Sequence, residues 1–95
     1  MDERTILWNE EKNSLLLEQY GVGFGDVVLA MRAGHIVTSK SHPNRDRYPN
    51  QSIMVLWIND YPYVVPYIED ENSVFLKTLY PSRKWKRLLK ERNET

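Results

Sequence analysis

Lys77-Thr-Leu-Tyr-Pro-Ser-Arg-Lys-Trp-Lys-Arg-Leu-Leu-Lys-Glu-Arg92 reads as the end of a strand, a break and a basic helix. The strand is the apolar run Val74 to Tyr80, interrupted by a single cation, Lys77. Pro81 cannot continue a ladder, and Ser82 is placed to cap a helix by accepting an otherwise unpaired backbone N–H. Beyond it, Trp85, Leu88 and Leu89 face the body while Arg83, Lys84, Lys86, Arg87 and Lys90 face water. From Lys77 to Thr95 seven Lys and Arg stand against Glu91 and Glu94, a balance of +5 in a chain whose total is zero. A polyanion would meet this end of the protein and not the rest.

The segments before this stretch read as strands. Ile53 to Ile58 is apolar at every position, which suits a central strand covered on both faces. Asp60-Tyr61-Pro62 is expected to turn, and Tyr63 to Glu69 to form the next strand. Pro66 within it implies an edge or a bulge, because proline has no N–H to donate. After a turn at Asp70-Glu-Asn72 comes the last strand, so the three strands form an antiparallel meander. Earlier still, His35 to Lys40 alternates with one face wet, and Ser41 to Asn50 is a polar loop with two prolines.

The N-terminal third has helical periodicity. Asn9 is a good cap, with Glu10 and Glu11 at the positive end of the helix dipole, and the helix runs from about residue 10 to Tyr20. Gly21 stands where a left-handed residue would end it. Phe24, Val27, Val28 and Met31 follow at i, i+3, i+4 and i+7, with Gly23 as cap, Val22 able to staple onto Val27, and Gly34 at the end. Thr5 to Trp8 is a short β-prone run. The expected order is β-α-α-β-β-β-β-α: an α+β domain whose two N-terminal helices pack on one face of a curved antiparallel sheet.

Totals bound the rest. Ninety-five residues, 41% of them hydrophobic, make one domain with one two-layer core. There is no 18-residue apolar run, and Met1-Asp-Glu-Arg4 begins acidic where a signal peptide begins basic, so no membrane segment and a cytoplasmic location are expected. The absence of cysteine excludes disulfides, thiol catalysis and cysteine-bound zinc. Neither His35 nor His42 clusters with carboxylates at ligand spacing, so no metal or cofactor is expected. Gly21-Val-Gly-Phe-Gly25 follows a helix and lacks the third-glycine spacing, which argues against a dinucleotide enzyme. Residues 1–34 sum to −3, 35–51 to +2, 52–76 to −4 and 77–95 to +5, so the positive charge lies in the loop around His42 and in the last helix.

Four stretches taken together resemble the BrnT family of type II toxins, a branch of the RelE-like ribonuclease superfamily. They are Trp8-Asn-Glu-Glu-Lys-Asn13, the Gly21-Val-Gly-Phe24 joint before Asp26-Val27, the polar loop with His42, and Phe75-Leu-Lys-Thr-Leu-Tyr-Pro-Ser-Arg-Lys84. The similarity spans about residues 6–90. It implies a RelE-like fold, a metal-independent endoribonuclease that inhibits translation, RNA as substrate, with the ribosome as one setting, and a ribbon-helix-helix antitoxin as partner. The chain departs from the pattern in three ways. Gly23 stands where relatives often have a Ser or Thr cap, Pro81-Ser82 precede Arg83 where many have Ser-Ala, and the net charge is zero where RelE-like nucleases are usually basic.

Metal-free RNA cleavage needs a group that takes the 2′-hydroxyl proton, cations that stabilise charge on phosphorus, and a proton donor for the leaving oxygen. His42, Lys77, Tyr80 and Arg83 have the chemistry for those roles, His42 as base or acid; the plainer reading of His42 is a solvated loop residue. Alternation puts Lys77 with Phe75 on one face, either pointing into the concave side or lying at an exposed edge. Arg45, Arg47, Lys84 and Arg87 can hold the RNA backbone, although Asp46 can pair locally with the two loop arginines. Eleven aromatic residues include Tyr61, Tyr63, Tyr67 and Tyr80 on the meander, and Tyr67 is a candidate base-stacking platform, although such residues more often pack in the core or across strands. Trp57 and Trp85 are assigned to the core. The alternative function is a non-catalytic module of the same fold that binds a partner protein or nucleic acid.

Overall fold

The computed structural model describes residues 4–41, 44, 46–47 and 50–94. In chain order the elements are β1 (Thr5–Leu7), α1 (Glu10–Tyr20), α2 (Phe24–Arg32), β2 (Ile36–Ser41), β3 (Gln51–Ile58), β4 (Tyr61–Glu69), β5 (Ser73–Leu76), β6 (Tyr80–Pro81) and α3 (Arg83–Glu94). The sheet runs β1-β5-β4-β3-β2, with β6 pairing β4. It is an α+β domain, as expected, but the sheet is mixed. β1 lies parallel to β5, with Thr5 opposite Ser73 and Leu7 opposite Phe75, where a wholly antiparallel sheet was expected.

The helix boundaries follow local chemistry. Asn9 accepts the Lys12 N–H at 2.9 Å, and Gly21 ends α1 at φ 71. Gly23 begins α2: its N–H donates to the Asp26 carboxylate at 2.9 Å, while Val22 and Val27 are both buried, as a staple requires. Gly34, at φ 77, follows the helix end. α1 and α2 cover one face of the sheet, where Leu16, Phe24, Val27 and Ala30 meet Met54, Leu56, Tyr63, Val65, Tyr67, Val74 and Leu76. α3 covers part of the other face, with Trp85 against Ile53, Val55 and Val64. β3 is therefore buried on both sides, as its unbroken apolar run implies. Leu15 on α1 is 58% exposed, and Leu88, expected to face the body from α3, also lies at the surface.

Two corrections bear on the site. The β3–β4 turn is Asn59-Asp60, both at positive φ (52 and 62), so Tyr61 and Pro62 belong to β4, not to the turn. That is the backbone of a two-residue hairpin of the kind whose twist matches the strands. The expected strand from Val74 to Tyr80 is broken at residues 77–79. Leu76 lies opposite Tyr67 and Tyr80 opposite Val64, so three residues on one strand face two on the other. This bulge sits beside Pro66, whose carbonyl accepts the Lys77 N–H at 2.9 Å and whose ring nitrogen has nothing to donate. Pro66 thus marks a bulge in an interior strand and not an edge. The extra residue resets the alternation, so Leu79 enters the α1/α2 core and Tyr80 returns to the α3 side.

Candidate nucleic-acid interface

The α3 side of the sheet carries the candidate site. Lys40 on β2 is the register partner of Ile53, and Ile53 of Pro66, whose carbonyl holds Lys77. Residues directly opposite across a ladder share a face. Lys40 and Lys77 therefore stand at the two ends of one cross-strand row, on the face where Ile53 packs beneath Trp85. One row along, Val64 is partnered by Tyr80.

Ser82 begins α3, as its sequence position implies. Its hydroxyl accepts the Trp85 N–H at 3.2 Å and its carbonyl the Lys86 N–H at 3.0 Å. No acidic residue occupies the first turn, so the positive end of the helix is reinforced by Arg83 and Lys84 and not neutralised. Lys40, Tyr80, Ser82 and Lys84 together line a hollow of about 420 Å³ floored by Ile53, Val64 and Trp85. The Lys40 Nζ lies 5.6 Å from the Trp85 ring centre, within cation–π range. Two ammonium groups, a phenol and a hydroxyl around an apolar floor suit a phosphodiester with a neighbouring base.

The other expected site residues do not all join this hollow. Lys77 is exposed, its Nζ 6.0 Å from the Phe75 ring centre, on the α3 side. Arg83 is turned elsewhere: it lines a separate hollow with Tyr61, Tyr63 and Pro81, and Tyr63 belongs to the α1/α2 core. Neither Lys77 nor Arg83 is among the residues that line the hollow of Lys40, Tyr80, Ser82 and Lys84. Arg87 is exposed on α3. Tyr67 is 7% exposed, its hydroxyl bonds the Ser39 hydroxyl, and it packs in the α1/α2 core, on the side of the sheet away from the α3 hollow. Arg47 is exposed, its backbone N–H donating to Asn44 Oδ1 at 3.1 Å. His42 and Arg45 lie outside the described residues.

Lys40 was missed. It lies in the positive segment before the loop, but its relation to Tyr80 and Lys84 follows only from β2 pairing with β3. Trp57, assigned to the core, is half-buried and supports a cation: the Lys86 Nζ lies 5.4 Å from its ring and 5.6 Å from that of Tyr61, and donates to the Asp60 carbonyl at 3.3 Å. Lys86 thus ties α3 to the β3–β4 turn. Glu69, at the end of β4, pairs with Arg4 at 2.7 Å.

Burial pushes the Tyr63 phenol above its ordinary value, with Tyr20, Tyr61 and Asp26 adding to the rise, so it keeps its proton at neutral pH and does not serve as a base. Among the described residues no group of three or more His, Asp and Glu is placed to hold a metal ion, and no helix is long and apolar enough to cross a membrane. Comparison with protein-family models, curated proteins and solved structures gave no match to this chain.

Proposed function

We propose that this chain is an RNA-directed toxin of the RelE-like, type II kind, acting in the cytoplasm and held in check by a ribbon-helix-helix antitoxin. The observation that carries the reading is the shared hollow of Lys40, Tyr80, Ser82 and Lys84 at the start of a helix with no acid in its first turn. The resemblance in residues 6–90 and the β-α-α-β order at the start of the chain support it. In this reading Lys40 and Lys84 hold the phosphodiester and Lys77 extends the grip along the same face. Tyr80 is the proton-transfer group at the leaving oxygen, and Arg83 is not part of the reacting centre.

The separation of Arg83 from Lys77 favours a second reading, a module of the same fold that binds RNA without cutting it. Purified protein incubated with RNA in the presence of a metal chelator distinguishes the two. Cleavage by the wild type that falls at least about a hundredfold in Tyr80→Phe, with RNA binding kept, supports the nuclease, since general acid–base groups contribute about 10²–10⁴-fold. Intact RNA that is bound equally well by both proteins establishes the binding module.

A further inference from the structure

On the side of the sheet away from the α3 hollow, a second hollow of about 480 Å³ opens between the end of α2, β2 and the middle of the sheet. That volume lies in the range of small-molecule sites. Its wall is made by Met31, Ile36, Met54 and Val74, and methionine pairs of this kind adapt to the shape of an apolar guest. The polar groups in the wall are already satisfied. The Ser39 and Tyr67 hydroxyls bond each other, and Arg4 and Glu69, both in the lining, neutralise each other at 2.7 Å, with Arg4 also donating to the Asp70 carbonyl at 3.1 Å. The exception is Arg32, in the last turn of α2, which lines the mouth and makes no hydrogen bond or ion pair with another described residue. An apolar interior with one unanswered guanidinium at its rim selects a guest with an apolar body and a single anionic head.

We propose that this hollow binds a medium-chain apolar carboxylate, its tail between Met31 and Met54 and its carboxylate on Arg32. The site shares no lining residue with the α3 hollow, so the inference stands or falls separately from the RNA reading.

The test titrates sodium decanoate, below its micelle concentration, into the full chain labelled at the methionine methyl groups. Heat of binding and methyl chemical shifts are the two readouts, and decanol and decyltrimethylammonium serve as head-group controls. Saturable shifts of the Met31 and Met54 methyls are expected, with decanoate bound at least tenfold more tightly than either control. Arg32→Glu, a surface change at a helix end, should weaken decanoate at least tenfold, while Lys84→Glu on the other face leaves it unchanged. Unmoved Met31 and Met54 methyls, equal binding of the cationic control, or full affinity in Arg32→Glu would each overturn the proposal. Binding seen only where decanoate forms micelles would overturn it too.

Discussion

Asn13 does for α2 what the helix's own first residue cannot. Its Oδ1 accepts the Phe24 N–H at 2.7 Å, from a helix eleven residues earlier. A β-carbon built on Gly23 would lie 2.5 Å from that oxygen and 3.0 Å from Leu17 Cδ2. The backbone at Gly23 is extended, so glycine is required there for closeness and not for its dihedral angles. This explains the departure from a Ser or Thr cap: the cap is supplied from outside and fills the space a side chain would need. Asn13→Ala should cost about 0.5–2 kcal/mol, and Gly23→Ser about 1–3 kcal/mol. The pair Asn13→Ala with Gly23→Ser should lose less than the sum, because the serine gains both the space and the N–H. Thermal melts of the three proteins give the answer, at roughly 4–8 °C per kcal/mol for a domain of this size; strict additivity would contradict the exchange. At the β4–β5 turn, the Asn72 and Ser73 backbone N–H groups hold the Asp70 carboxyl below its ordinary value of 3.8. A depressed folded pKa contributes stability that is present above the unfolded value and is lost as pH falls through the folded one. The melting-temperature gap between the wild type and Asp70→Ala should therefore be constant above about pH 5 and close below pH 3.8. A gap that widens with acid would contradict this.

At the level of elements, local signals were legible and distant pairings were not. Asn9, Gly21 and Ser82 could be placed because a cap depends on residues within one turn. The pairing of β1 with β5 joins the two ends of the chain, and nothing near Thr5 carries that information. Pro66 announced an irregularity, yet which strand bulged depended on its partner. That partner contributes residues 77–79, and the bulge decides where side chains point. Strict alternation would place Leu79 with Lys77; in the structure Leu79 is 1% exposed in the helix-side core while Lys77 is exposed. Leu79→Ala should accordingly cost about 2–5 kcal/mol, and Lys77→Ala less than about 0.5 kcal/mol. Urea denaturation of the two variants tests the bulge, and similar small losses for both would place Leu79 at the surface. The same resetting brings Tyr80 to Lys40 and Lys84, which is why half of the candidate site could be named from sequence while its assembly could not. Arg83 lines a different hollow from its neighbour Lys84, because adjacency in sequence does not decide which side of a helix start each side chain leaves from.

Across the whole molecule, charge and apolar surface are sorted to different sides of one sheet. The zero net charge conceals a +5 C-terminal segment balanced by acidic residues in the N-terminal third and in the 52–76 segment. The α3 side presents Lys40 and Lys84 around Tyr80, with Lys77 exposed on the same face, whereas the α2 side holds an apolar hollow with Arg32 at its mouth. RNA bound on the α3 side must release counterions, so its affinity should fall with salt, and each lysine removed from a phosphate should flatten the log–log slope by about 0.7. The most direct measurement is fluorescence anisotropy of a labelled single-stranded RNA at several salt concentrations. It compares the wild type, Lys40→Ala with Lys84→Ala, and the charge-matched control Lys12→Ala with Arg32→Ala. Affinity at least tenfold weaker and a flatter slope are predicted for the α3-side pair, with the control close to the wild type. Equal losses in both pairs, or none in either, would contradict an RNA site built on Lys40, Tyr80 and Lys84.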